Sequence, residues 1–193
     1  MRLFFYLKDC VAQESPNSLP AEEDDIEVWR TSARRLLPPD SPLYPFFVWW
    51  LFHQFRVFKN QDYQVVFIRD GDRVVQRCCV LPAFFCYPFM YSGDLNVGTW
   101  THPEYRRRGL ATRTLRKAMK CSNRPFRKIW YITKETNVAS MRLAERAEFI
   151  FLGTGNRVAT FWLRILGHFV VETLDDGPGR NSNGWSPGVS RTK

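Results

Sequence analysis

Apolar positions recur along this chain with two periods, and the changes of period lay out the elements. Residues 2–8 alternate loosely and predict an edge strand, followed by a polar loop that carries Pro16 and Pro20. Between 24 and 37, Ile26, Trp29, Ala33, Leu36 and Leu37 fall at helical spacing, and Pro38-Pro39 stops the predicted helix. The aromatic stretch 44–58 predicts a second helix with Pro45 in its first turn. Two β-rich runs, 63–69 and 73–81, flank Asp70-Gly71-Asp72 and predict a hairpin.

A loop carrying Phe84, Phe85, Tyr87 and Phe89 leads to a predicted strand over 94–101. From 109 to 120, Leu110, Ala111, Thr114, Leu115, Ala118 and Met119 form a stripe opposite arginine and lysine, which predicts an amphipathic helix. KIWYIT, 128–133, has the continuous apolar character of a strand covered on both faces. Asn137 caps a short helix reaching about 147, the run EFIFLG ends it, and a last strand is predicted over 157–166. The order β, α, α, β, β, β, α, β, α, β, β contains seven strands and four helices. Its strand–helix–strand alternation needs crossovers onto a sheet that the early hairpin makes mixed, an α/β (α+β mixed sheet) class. The stretch 175–193 lacks an apolar period and reads as a disordered tail.

Length and composition narrow this picture. A chain of 193 residues with 45% hydrophobic and 16% aromatic residues suits one packed domain, here 1–170. The formal charge of +9 favours an anionic partner: nucleic acid, anionic lipid or a phosphorylated cofactor. Cys10, Cys78, Cys79, Cys86 and Cys121 include no C-x-x-C pair, which fits reduced thiols in a cytoplasmic protein better than disulfides or zinc. Lys8 and Asp9 interrupt the N-terminal apolar run, against a cleavable signal peptide. YPFFVWWLFHQF, 44–55, is too short for a transmembrane span; it reads first as a buried core helix, with an acceptor wall or an interfacial helix as the other readings.

Candidate chemistry concentrates in THPEYRRRGLAT, 101–112. A helix N-terminus presents unsatisfied N–H groups and the positive end of the helix dipole. Gly109 lets an anion approach the backbone, Ala111 keeps the next turn small, and Thr112 adds a hydroxyl, so the junction can cradle a pyrophosphate. Arg106, Arg107 and Arg108 add attraction: from Glu104 to Lys128 there are ten basic residues and one acidic one.

This stretch resembles the acyl-CoA signature of the GNAT superfamily, [Q/R]-x-x-G-x-[G/A], at Arg106, Gly109 and Ala111. The lead-in V/T-x-P-x-x-R matches at Thr101, Pro103 and Arg106. KETNVASMRLAERAEFIFLG is similar to the family's second motif, with Asn137 and Ser140 opening the helix. The resemblance covers about 62–166, the acyl-CoA-binding core, and leaves 1–60 as a variable acceptor-side region. It implies a GNAT-like, mostly antiparallel twisted sheet of about six to seven strands flanked by about four helices. It implies transfer of an acetyl group from acetyl-CoA, as cosubstrate, to a primary amine of a small molecule, amino sugar or peptide by direct attack. Pyrophosphate would lie on the amides of Arg107, Arg108, Gly109, Leu110, Ala111 and Thr112, the pantetheine beside Trp100 and Thr101, with Asn137 and Ser140 opposite. A homodimer is compatible with it.

Two positions depart from the family pattern. Ala144 stands where many members carry a tyrosine acid, and Glu148 where glycine usually precedes phenylalanine. Ser140 and Tyr131 are the alternative proton donors, and Asp94 is the best-placed base near its strand. His102 reads as a surface or capping residue, and His53 as a core or acceptor-facing one. Too few histidines and carboxylates cluster for a metal site. A CoA-binding protein without catalysis, and more remotely a basic nucleic-acid module, stand as other readings.

Overall fold

The computed structural model describes residues 2–10, 25–160 and 163–173. The polar loop around Pro16 and Pro20 and the tail 175–193 lie outside the described residues. Eight strands and three α-helices follow in order: β1 (Leu3–Asp9), β2 (Ile26–Arg30), α1 (Leu43–Gln54), β3 (Gln64–Asp70), β4 (Arg73–Pro82), β5 (Leu95–Thr101), α2 (Leu110–Ser122), β6 (Lys128–Lys134), α3 (Val138–Arg146), β7 (Ile150–Thr160) and β8 (Leu163–Thr173). The strands form one mixed sheet in the order β2-β3-β4-β5-β6-β1-β7-β8, with one parallel pair, β5 and β6.

Three expectations give way here. The helix predicted over 24–37 is instead β2, paired antiparallel with β3. Ile26 and Trp29 sit three apart, as on a helix, but they enter opposite cores. Ile26 joins Val28 on one face and Trp29 packs on the other. The strand predicted at an edge, β1, lies inside the sheet between β6 and β7. Its alternation is loose because both faces are covered. The last strand, predicted over 157–166, straddles the reversal between β7 and β8, because residues 158–166 hold no turn-favouring residue. The counts become eight and three where seven and four were predicted.

Each face of the sheet carries its own core. On one, Leu115 and Ala118 of α2 and Ala144 of α3 pack with Val66, Cys78, Val97, Ile129 and Tyr131. On the other, Phe46, Trp49 and Phe52 of α1 and Phe84, Tyr87 and Met90 of the following loop pack on Val65, Phe67 and Trp130. With edge-to-face rings such as Phe58–Phe84 and Phe84–Tyr87, this second core is largely aromatic.

The two parallel strands do not stay together. β5 and β6 pair at Leu95 with Ile129, Asn96 with Trp130 and Val97 with Tyr131, and no further. Beyond Val97, β5 continues on β4 as far as Thr101, and β6 continues on β1 as far as Lys134. The sheet therefore forks, with the N-termini of α2 and α3 at its mouth.

Candidate active site

The fork leaves two half-bonded strand edges facing each other. His102 donates its N–H to Val75 on β4, so strand alternation turns the backbone groups of Thr99 and Thr101 toward the gap. An extended ligand backbone can add there as a strand does.

At the crotch sits Tyr131, in the last pair before the strands part. Its phenol lies 3.0 Å from the Thr99 hydroxyl, and the Ser140 side chain, in the first turn of α3, is close enough to act on its pKa. Burial raises the phenol's pKa while Ser140 and Thr99 pull the other way, so Tyr131 carries its proton at neutral pH. Asn137 caps α3 by accepting the Ser140 N–H at 3.2 Å. Sequence patterns placed Tyr131, Ser140 and Asn137 separately; the fork brings them together. Thr99 is the partner that no local pattern reveals, because its role depends on the β5–β6 register.

The other wall is the entry to α2. A single 3-10 turn, Pro103–Tyr105, follows β5. Arg107 and Gly109 then take left-handed backbone conformations, with φ of 64° and 75°. Gly109 is the N-cap, and a Cβ placed on it would meet nothing within 4 Å. The N–H groups of Arg107, Arg108, Gly109, Leu110 and Ala111 have no hydrogen-bond partner among the described residues. Thr112 instead donates its N–H to the Gly109 carbonyl at 3.0 Å. This is a chain of free donors at the positive end of a 13-residue helix, with open space before them.

The arginines divide their work. Arg106 reaches back to the Thr101 carbonyl at 3.4 Å, and Arg108 lies over the Tyr105 ring at 4.8 Å. Arg107 has no hydrogen bond or ion pair among the described residues, and all three are exposed. Tyr105 donates to Asp70 at the tip of the β3–β4 hairpin. His102 stands near Arg73 and Glu104 at the surface. Inside, Thr101 donates to Gln76 at 2.5 Å and Gln76 donates to Thr114 on α2 at 2.9 Å. Gln76 is fully buried and ties the end of β5 to the helix behind the cradle.

On the α1 side of the sheet, Gly98 leaves a free space: a Cβ there would touch nothing within 4 Å. Cys79, opposite it on β4, is a thiol pushed up to about 12 by desolvation, too weak an acid to be a nucleophile at neutral pH. Trp100 flanks this space, with the Arg77 guanidinium 4.4 Å above its ring and 5.5 Å from Phe46 of α1. Glycine inside a strand is the sequence signal that marks such an opening.

Asp94 stands apart. It is buried just before β5, at the paired end of the strands, and accepts hydrogen bonds from Trp130 Nε1 at 3.1 Å and the Tyr91 N–H at 3.0 Å. Four residues of extended chain, roughly 13 Å, separate it from Gly98. His53 is half-buried on α1, and desolvation lowers its pKa, leaving it neutral. Ala144 is fully buried under α3. No group of three or more metal-ligating side chains occurs among the described residues.

Residues 58–150 match a family model described as an acetyltransferase (GNAT) domain. Among solved structures, one described as an acetyltransferase from the GNAT family of Novosphingobium aromaticivorans aligns with a TM-score of 0.52 at 18% identity, covering 79% of this chain and 60% of that one. A GCN5-related N-acetyltransferase from Sphaerobacter thermophilus aligns with a TM-score of 0.50 at 15% identity, covering 79% of this chain and 49% of that one. The chain thus spans 60% and 49% of those two proteins, and at such identities the likeness speaks for the fold. No curated protein matches the chain. Residues 58–150 are thus similar to a GNAT acetyltransferase domain, and the forked mixed sheet that contains them is a GNAT-like fold.

Proposed function

We propose that the protein is an N-acyltransferase that moves an acetyl group from acetyl-CoA to a primary amine in the cytoplasm. The observation that carries this reading is the fork itself: free strand edges, free helix amides and a protonated phenol converge on one gap. The pyrophosphate fits the amides of 107–111, where Gly109 leaves the approach open, while the Thr112 N–H is taken by the Gly109 carbonyl. The pantetheine fits along Trp100 and Thr101, with Asn137 and Ser140 on the far side. The acceptor enters over Gly98 from the α1 face, between Trp100 and Arg77.

The amine nitrogen attacks the thioester carbonyl, a C–N bond forms and the C–S bond breaks. A β5 backbone N–H facing the gap polarises the carbonyl oxygen as it gains charge. Tyr131 gives its proton to the departing sulfur, and Ser140 and Thr99 hold the phenol in place. The amine proton leaves to water, because Asp94 lies at the paired end of β5 and is engaged with Trp130. Attack is direct, since the nearby Cys79 thiol stays protonated.

A second reading, a CoA binder without turnover, is favoured by Ala144, which puts a methyl group where related helices offer a phenol. One experiment separates the two. Free thiol release from acetyl-CoA is measured with amino sugars, polyamines, amino acids and peptides as acceptors, for the wild type and Tyr131→Phe. Transfer to at least one amine is expected, with kcat falling about 10²-fold or more in Tyr131→Phe and KM for acetyl-CoA unchanged. CoA binding without release on any amine favours the binder, and an unchanged kcat in the variant removes Tyr131 as the acid.

A further inference from the structure

Helix α1 has more apolar surface than the sheet can cover. Of LYPFFVWWLFHQ only Phe46 is fully buried. Leu43 is 65% exposed, Phe47 stacks outward on Trp50, and Phe55 just after the helix is 75% exposed. Phe85 extends the same surface beside Phe52. Scattered exposed apolar residues need no explanation, but these lie along the outer side of one helix and its neighbouring loop.

The rim of this surface is cationic. No acidic residue occurs between Ser41 and Gln61. Arg34 and Arg35 are exposed on a turn closed by Ser32 and Arg35, and Trp50 Nε1 donates to the Ser32 carbonyl at 3.0 Å, fixing that turn to the flank of α1. Arg56 and Lys59 are exposed at the other end. The nearest carboxylates are committed: Asp40 accepts the Val74 N–H, and Asp62 is bound by Arg124 and Arg127.

We infer that this surface docks on an anionic bilayer, with α1 lying in the interface. Charge decides the occupant. A second copy placed face to face would set Arg34, Arg35, Arg56 and Lys59 against their own equivalents. Anionic headgroups neutralise the same cations, while Phe47, Trp50 and Phe55 enter the headgroup–acyl boundary. The helix lies on the membrane and does not cross it. Its 12 residues span about 18 Å, and no helix among the described residues is long and apolar enough to cross.

The test is co-sedimentation of the full chain with phosphatidylcholine vesicles, with and without phosphatidylserine, at low and high salt. Beside the wild type stand Phe55→Ser and the double variant Arg34→Glu/Arg35→Glu, both at exposed positions and each checked for folding by circular dichroism. Binding is expected on phosphatidylserine vesicles alone and is weakened by salt. The double variant should reduce affinity roughly tenfold or more, and Phe55→Ser should reduce it at every salt concentration. No binding to phosphatidylserine vesicles overturns the inference, as does binding indifferent to both variants. A dimer in sedimentation velocity that Phe55→Ser dissociates, without vesicle binding, assigns the surface to a second copy instead.

Discussion

Gly109 and Glu148 both hold left-handed backbone, at φ 75° and 61°, and only one of them is glycine. At Glu148 the conformation follows the end of α3, where a side chain costs roughly 1–2 kcal/mol relative to glycine. Lys8 answers from β1 by binding both the Ala147 carbonyl at 2.8 Å and the Glu148 carboxylate at 2.9 Å, and that contact lowers the carboxyl's pKa. A departure from the family's glycine thus has a local partner in this chain. At Gly109 no such partner exists, and the position faces open space. A Cβ at Gly109 meets no atom of the described residues within 4 Å, so replacing Gly109 with Ile destabilises the protein chiefly through backbone strain, by roughly 1–3 kcal/mol. The new side chain would stand in front of the free amides, so acetyl-CoA affinity by calorimetry should fall at least about tenfold. A folded variant with wild-type affinity would remove the cradle from this place.

Elements were legible in the sequence where their chemistry is local. Gly109 and the small residues after it announce the start of α2, Asn137 announces α3, and Gly71 announces the β3–β4 turn at φ 58°. What escaped depends on partners far along the chain. β1 lies between β6 and β7 through pairs such as Phe5 with Ile132 and with Gly153, which no window of the sequence contains. The fork is likewise invisible locally: Tyr131 meets Thr99 only because β5 and β6 share three pairs and then part. The inserted β1 makes the β7–β8 hairpin depend on contacts across the sheet. Gly155 measures this dependence, since a Cβ there would press on the Val170 carbonyl at 1.9 Å and the Phe5 ring at 2.8 Å. The Gly155→Ala variant should lose about 1–3 kcal/mol in urea unfolding, as an overpacked site does. A loss below about 0.5 kcal/mol would mean that β8 yields without disturbing β1.

Across the whole molecule, building two cores around one sheet buries groups that elsewhere titrate in water. Desolvation raises the Tyr63, Tyr87 and Tyr131 phenols and the Cys78 and Cys79 thiols, Cys79 to about 12. In the unfolded chain the thiols would ionise near 9.0 and the phenols near 10.0. Each group holds its proton more tightly folded than unfolded. The stability this contributes is therefore whole below about pH 9, where unfolded thiols begin to ionise, and is lost as pH rises through the folded values. Each group that is ionised unfolded and protonated folded steepens the decline by up to about 1.4 kcal/mol per pH unit. The urea midpoint should hold between pH 7 and pH 8.5 and drop steeply by pH 11, with tyrosinate absorbance appearing together with loss of structure. Absorbance rising before unfolding would show that the phenols reach solvent in the folded state. The same burial keeps the Tyr131 phenol protonated across the range in which an amine loses its own proton, so in the reaction proposed above one desolvated core would serve both stability and the acid step.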